Sequence, residues 1–561
     1  MASLPIVQPV AVTSGPPQYE ALRSSILAEF EAKVPKELRL PASIIQAPPK
    51  NVTKVPRECG LLSQQELEIT EKFDAVALAK QIASKKFTAV AVATAFAKRA
   101  ILAHQATCCL MEWFMDEAIA QARALDAHLE KFGQTVGPLH GVPISVKEHI
   151  PLAGHYTTMG ALDTRRIEDV DCQLIAILRN AGAVFYCKTI QPQSIMHLES
   201  VSAYGRVLNP YNINLSSGGS TGGEAALLAM CGSVLGIGTD IGGSIRCPAG
   251  FCGIYGFKPT SYSLPMKDFI TGGSTADLNI LCSTGPMCHS LRDMDLFVSV
   301  IKAAQPHLKD PRLIPYPWIG LAGASKIKTP LKIGFMMNDG VIQPQPPVTK
   351  ALEWARSQLS KSPETFEIKS FEPYQMAQAM RNIRRAYWAD GANALKEHLS
   401  HTGEPIFPLT QWIIHESEGP ELTASQVLQQ RIDRDNFRCD FAAHWATQDV
   451  DFVISPVFVG PACTHETAFY WNYTAFWNYV DYPGVVVPTP VAALKEKESY
   501  APGDATSLSE LCAHVRKLWA VGDFEGAPIA LQVVARKYHD NDLFAALGVM
   551  KSALGLDQRD E

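Results

Sequence analysis

The chain has 561 residues, 47% of them hydrophobic and 19% charged, with a formal net charge of −6. That is a globular composition with length enough for a large core; it offers no basic footprint for nucleic acid and no apolar run near the ~18 residues of a membrane span. The thirteen cysteines, an odd number, show neither a metal-binding repeat nor a disulfide framework, and read as reduced thiols of a cytoplasmic protein.

No basic-then-apolar leader opens the chain. Residues 1–60 hold nine prolines and read as an extended arm broken by one helix near Tyr19 to Ala32. Such an arm is placed to wrap the body or the second subunit of a homodimer. Ser63-x-x-Glu66 is a capping box. Beyond it, Ala-rich helices with apolar residues three and four apart cover Val76–Leu78, Val90–Ala103 and Met115–Leu129. Gly141–Val146 is apolar and β-branched, so Lys147 ends a buried strand. A lysine there loses its charge readily and can act as a base; by spacing alone it is equally a surface lysine at a strand end.

A helix over Asp171–Ala181 and a strand over Ala183–Cys187 follow. The strand–helix–strand rhythm predicts an α/β layered fold with the site beyond the strand ends. His140, His149 and His155 lie near Lys147, lack partners at metal-ligand spacing, and read as structural. Glu148 reads as a solvated or structural carboxylate.

Ser216–Gly256 is the densest stretch, with twelve glycines in 41 residues against about 3 at ordinary usage. Glycine this dense brings backbone close to a neighbour or holds it at positive φ. Thr221-x-x-Glu224 reads as a second capping box, opening a helix. Ser233–Thr239 reads as a buried strand that turns at Asp240. Ile241-Gly242-Gly243-Ser244 is then a loop whose N–H groups can converge on one anionic oxygen, with Ser244 as nucleophile beside them. A phosphate loop fails because Glu224 stands where lysine is required. A nucleophile elbow at Gly218–Gly222 needs a preceding strand, and residues 209–214 read as a polar turn. A purely structural glycine loop leaves Ser220 and Ser244 unexplained.

Further on, Leu331–Met336 and Asp451–Pro456 read as strands. The aromatic run Phe469–Tyr479 reads either as core or as a wall of an acyl pocket.

The two stretches around Lys147 and Ser216–Gly256 together resemble the amidase signature family, closest to fungal acetamidases and fatty acid amide hydrolases. The resemblance runs from about Leu61 to the C-terminus, through Gly137-Pro138-Leu139-His140-Gly141, Lys188-Thr189-x-x-Pro192-Gln193-Ser194, Tyr482-Pro483-Gly484-Val485-Val486-Val487-Pro488 and Gly526-Ala527-Pro528-Ile529-Ala530-Leu531-Gln532-Val533. It implies a single domain over 61–561, built on a large mixed central β-sheet flanked by helices on both faces. It implies a Ser–Ser–Lys triad, with Lys147 as base, Ser220 as bridging serine on a cis peptide bond, and Ser244 as acylated nucleophile. Ile241, Gly242 and Gly243, with Ser244, match the oxyanion-hole amides, Asp240 and Arg246 a supporting charged pair, and Thr221 a further supporting residue. Ile195 matches a residue offering its carbonyl to substrate. Ser202 and Ile190 depart from the common asparagines and bear on the leaving-group pocket. The expected activity is hydrolysis of a small-molecule amide without metal or cofactor. An amidotransferase subunit needing a partner, or a non-catalytic scaffold on the same fold, are the alternatives.

Overall fold

Short apolar segments bounded by Gly and Pro mark strands buried on both faces. In the computed structural model, which describes residues 4–269, 276–417, 419–504 and 506–557, eleven strands join one sheet. In chain order these are β1 (Leu110–Trp113), β2 (Pro143–Lys147), β3 (Val184–Thr189), β4 (Leu235–Asp240), β5 (Tyr255–Lys258), β6 (Ser283–Cys288), β7 (Leu331–Phe335), β8 (Phe366–Ser370), β9 (Phe452–Pro456), β10 (Gly484–Ala492) and β11 (Pro528–Val534). In space they run β1-β3-β2-β4-β6-β5-β10-β11-β9-β7-β8. β3, β2 and β4 are parallel, as are β9, β7 and β8; the pairings between these two groups are antiparallel. The sheet is therefore mixed, as the resemblance implies.

Every residue of β2, β3 and β4 is buried, so helices cover both faces there. Helices of the first 180 residues include α1 (Pro17–Ala32), α2 (Gln64–Lys72), α3 (Ala75–Ala83), α4 (Ala89–Thr107), α5 (Met115–Phe132) and α6 (Gln173–Asn180). The capping box at α2 is present: Glu66 N–H donates to Ser63 Oγ at 3.3 Å and Ser63 N–H to Glu66 Oε2 at 2.7 Å. α4 is buried nearly all round, which its alanines allow, since small side chains let sheet and helices approach on every side. Trp113 Nε1 of β1 donates to Ala97 O of α4 at 2.9 Å.

Residues 4–60 hold α1 and two further short helices, Ala42–Gln46 and Val55–Glu58, more helix than an arm with one. They lie along the body through Val7 N–H to Gln105 O at 3.0 Å and Val52 N–H to Pro210 O at 2.8 Å. Tyr19 is fully buried. No helix among the described residues is long and apolar enough to cross a membrane.

What places the site is the parallel pairing of β2 with β4, in the register Ile144 to Leu235 and Val146 to Ile237. Both strands end at the same edge: Lys147 lies level with Gly238, and Thr239 and Asp240 follow just beyond it. After β4 come α8 (Arg246–Phe251) and, beyond the middle of the chain, α9 (Met376–Tyr387), α10 (Asn393–Thr402), α11 (Ala424–Thr447) and α12 (Asn472–Tyr479); α7 (Gly222–Ala229) precedes β4. The aromatic run forms α12, buried throughout. Phe476 meets Phe441 of α11 edge-on at 5.0 Å, and Trp477 meets Trp445 at 6.3 Å.

That packing yields a prediction. Trp477→Ala deletes a side chain with no exposed surface and is expected to cost about 3–5 kcal/mol, read as a lower denaturant midpoint. A midpoint equal to wild type would place Trp477 outside the core.

Candidate active site

The loop after β4 is organised by a buried ion pair. Asp240 closes β4, Arg246 opens α8, and neither side chain is exposed. Arg246 Nε donates to Asp240 Oδ2 and Nη2 to Oδ1, both at 3.0 Å. Burial would raise the Asp240 carboxyl, but the Arg246 guanidinium holds it well below the usual carboxylate range. The remaining valences are filled from the second half of the chain. Arg246 also donates to Gln532 Oε1 at 3.1 Å, Thr474 O at 2.9 Å and Asn478 Oδ1 at 2.7 Å, and Asn478 Nδ2 donates to Asp240 Oδ1 at 2.8 Å.

This frame aims the intervening peptides. Tyr387 Oη donates to Ile241 O at 2.8 Å and Thr474 Oγ1 to Gly242 O at 2.9 Å. Across a trans peptide the N–H points opposite to the C=O, so Gly242 N–H faces away from Tyr387. Gly243 N–H is turned onto Asp240 Oδ1 at 2.9 Å. Gly243 N–H, which the resemblance matches to an oxyanion amide, is thus engaged by Asp240 in this structure; its φ of +123° and a Cβ position 2.1 Å from Thr474 Oγ1 explain why it is glycine. Among the described residues, the N–H groups of Ile241, Gly242 and Ser244 have no acceptor.

Lys147 lies opposite. Its side chain is fully buried, and Nζ stands 2.6 Å from Ser220 Oγ and 3.0 Å from Thr239 Oγ1. Desolvation lowers the lysine to about 7, against the weaker pull of Cys282, Asp240, Glu148 and Glu224. Burial raises the nearby carboxyls too, Glu148 to about 7 and Glu224 to about 8, which weakens their hold on a lysinium. The Gly219–Ser220 peptide is cis. Thr221 N–H donates to Ser244 O at 3.1 Å, binding the two serine loops together.

Ser220 and Ser244 line one cavity of ≈ 300 Å³. Met196, Met266, Phe269 and Leu281 make it largely apolar, with Asp277 and Arg312 also on its wall. Ile195 lines it as well, at φ +64° like Ser194 before it, a strained conformation for a β-branched residue. A larger cleft of ≈ 600 Å³, around Tyr211, Tyr255 and His289, holds none of the expected site residues.

Several local expectations are corrected. Thr221 makes no capping box: its hydroxyl donates to Thr239 O at 3.4 Å, while Glu224 is buried and accepts from Ser145 Oγ at 2.5 Å. A strand, Asn212–Ser216, does precede the first serine loop. Ile190 and Ser202 are not on the cavity wall; Ile190 bridges Cys109 and Gly223 through its backbone, and Ser202 Oγ accepts from Tyr204 N–H. No residue of 469–479 lines the cavity either. The aromatic run packs behind the loop, which favours its reading as core.

Of the three histidines, His140 accepts from Val136 N–H and His155 meets Glu112, whereas His149 lies on the cavity wall. Sequence reasoning missed His149, Thr239, Tyr387, Thr474 and Asn478. The polar residues inside the aromatic run, Thr474 and Asn478, were the available signal for the last two. Among the described residues, one group has metal-ligand character, Asp163 with His398 and His401. Both imidazoles bond to Asp163 Oδ2, at 2.8 and 3.1 Å, and the group pins α10 to residues 162–164 at the surface, away from the cavity.

A profile of the amidase family matches residues 91–544. A Schizosaccharomyces pombe protein, provisionally named an amidase, is 43% identical over 90% of this chain and 93% of its own. An acetamidase of Aspergillus oryzae is 34% identical over 96% of this chain and 99% of its own. Among solved structures, a fatty acid amide hydrolase superposes with a TM-score of 0.88 at 31% identity, over 97% of this chain and 96% of that one.

The ion pair gives a test of this frame. Asp240→Leu leaves the Arg246 guanidinium buried without a counter-charge and is expected to cost about 3–5 kcal/mol. Adding Arg246→Met removes the orphaned charge, so the double variant is expected to unfold at a higher denaturant concentration than Asp240→Leu alone. A double variant less stable than the single one would show that Arg246 is held by its other partners.

Proposed function

The chain belongs to the amidase (amidase signature) family, and we propose that it hydrolyses carboxylic acid amides to the acid and ammonia or an amine through an acyl-enzyme on Ser244. The observation that carries this reading is the buried Lys147 Nζ 2.6 Å from Ser220 Oγ, beside a cavity that Ser220 shares with Ser244. A lysine lowered to about 7 is neutral in a large fraction at physiological pH, and so has a lone pair to accept a proton.

In the proposed sequence, neutral Lys147 takes the Ser220 proton as Ser220 takes that of Ser244, and Ser244 Oγ bonds to the carbonyl carbon. The carbonyl oxygen becomes anionic and is met by the N–H groups of Ile241, Gly242 and Ser244; one such donor is typically worth about 3 kcal/mol. Lys147 returns the proton through Ser220 to the leaving nitrogen, the C–N bond breaks, and an ester on Ser244 remains. Water, deprotonated by the same relay, attacks that ester; the acid leaves and Ser244 is reprotonated. Asp240 and Arg246 take no proton in this scheme and hold the donors in place. Thr221 ties the Ser220 loop to that of Ser244, and Ile195 presents its carbonyl to the substrate. The apolar wall of Met196, Met266, Phe269 and Leu281 suits an apolar acyl or amine group, to be graded by hydrolysis rates across acyl chain lengths. The thirteen cysteines, none joined in a disulfide among the described residues, support a reducing compartment, the cytoplasm.

Two predictions follow from the scheme. Ser244→Ala is expected to abolish labelling by a fluorophosphonate probe and to lower amide turnover by orders of magnitude; equal labelling at another serine would reassign the nucleophile. Lys147→Ala is expected to harm amides more than matched esters, because an amine must be protonated to leave and an alkoxide or phenoxide leaves with less help. With the native lysine, amide kcat/KM is expected to rise with pH through about 7 as Lys147 deprotonates. An unchanged amide-to-ester ratio in the variant would remove Lys147 from the leaving-group step.

A further inference from the structure

A neutral lysine has one lone pair and two N–H bonds, and a base is useful only if the lone pair faces the proton to be taken. Lys147 Nζ has two hydroxyl neighbours, Ser220 and Thr239. Each could donate to the lone pair, so something must decide between them.

The donor directions can be traced from a fixed end. The carbonyl of Thr158 can only accept, so Gln191 Nε2, 3.1 Å away, donates to it. Gln191 Oε1 is therefore the amide oxygen, an acceptor, and faces His149 Nδ1 at 2.7 Å. Gln191 is held in that pose by its own N–H, which donates to Glu148 Oε2 at 3.0 Å. His149 thus carries its proton on Nδ1 and is neutral, since burial lowers it to about 3 with Lys147 as the next cause. Its Nε2 lone pair faces Thr239 Oγ1 at 3.4 Å. Thr239 gives its proton to His149, and its oxygen receives an N–H from Lys147 at 3.0 Å. The lysine lone pair is left for Ser220.

We infer that His149 is a positioning residue of the proton relay: by accepting from Thr239 it turns the Lys147 lone pair onto Ser220, and a residue without an acceptor at this place would let Thr239 compete for that lone pair. The inference rests on the proposed relay through Lys147. It gives a cavity-wall histidine a task other than proton transfer, and Thr239 the task of carrying the direction from one side chain to the other.

The test compares pH profiles of amide kcat for wild type, His149→Leu and His149→Gln, with Thr239→Val as the background for a double-mutant cycle. The groups facing Lys147 are Cys282, Asp240, Glu148 and Glu224, with Ser220, Thr239 and His149 in the relay; none of the first four is altered. His149→Leu is expected to lower the plateau of kcat about tenfold or more, the loss of an aligned proton acceptor. It is also expected to move the acid limb to lower pH, because a hydroxyl donating to the lone pair favours the neutral lysine. His149→Gln can present an oxygen to Thr239 and an N–H to Gln191, and is expected to keep kcat within about threefold of wild type. In the Thr239→Val background, His149→Leu is expected to change neither plateau nor limb, since the route from His149 to the lysine is already gone. A limb that moves to higher pH would indicate a loosened, wetter site and overturn the inference. So would a glutamine variant as slow as leucine, or a leucine effect that persists unchanged beside Thr239→Val. Lys147→Ala separates this from the parent reading. If that variant keeps the wild-type acid limb, the relay through Lys147 fails; if the limb disappears with Lys147 but ignores His149, only the positioning role fails.

Discussion

The Asp240–Arg246 ion pair is the constraint on which the site depends. Two charges without solvent are expensive to bury, and their attraction offsets that only when the remaining valences are filled. Here they are filled by Asn478, Gln532 and a backbone carbonyl. The pair sits at the junction where β4 stops and α8 begins, so satisfying it fixes the five residues between. Gly243 N–H is turned onto the carboxylate, and the donors on either side of it are left without acceptors. The backbone polarity of the loop thus follows from the electrostatics of a side chain that does not line the cavity.

The second determinant is desolvation. Among the described residues, Lys147 has no salt-bridge partner; its neighbours on the proposed relay are hydroxyls, and two nearby carboxyls are themselves pushed up by burial. Full burial at the end of a fully buried strand therefore lowers the lysine with little opposition. Had Glu148 or Glu224 kept an ordinary carboxylate value, each would have stabilised the lysinium and worked against a base. Ser145, bonded to Glu224 at 2.5 Å, and Thr158, bonded to Glu148, take up these carboxyls within the protein interior.

Much of this was legible in the sequence, and for identifiable reasons. The strands ending at Lys147 and Asp240 stand out because they are short, apolar and bounded by glycine and proline, and the serines stand out because glycine is dense around them. What remained illegible is contact between distant segments. Thr221-x-x-Glu224 has the pattern of a capping box, but burial of Glu224 against Ser145 outweighed the local hydrogen bond, and the threonine turned to Thr239. Gly243 shows the same: its neighbours suggest a run of equivalent donors, while the Asp240 carboxylate, fixed by Arg246, draws the Gly243 N–H onto itself. His149 gave only a weak signal, two residues after Lys147, because its task depends on Thr239, 90 positions away.

The long reach of these contacts also explains the aromatic run. A helix as buried as α12 usually only fills space. Here its polar residues recur at Thr474 and Asn478, four apart and so on one face, and that face meets Gly242, Asp240 and Arg246. Phe476 and Trp477 on the other faces lock α12 against α11 and hold the polar face still. Arg246 is 232 residues from Asn478 and 286 from Gln532, so the loop that carries Ser244 cannot acquire its geometry from the first half of the chain alone. The serines, the lysine and the glycines belong to the N-terminal half, but the rigidity that makes their arrangement useful is supplied by β11 and α12, and the site forms only when these have docked on the loop after β4.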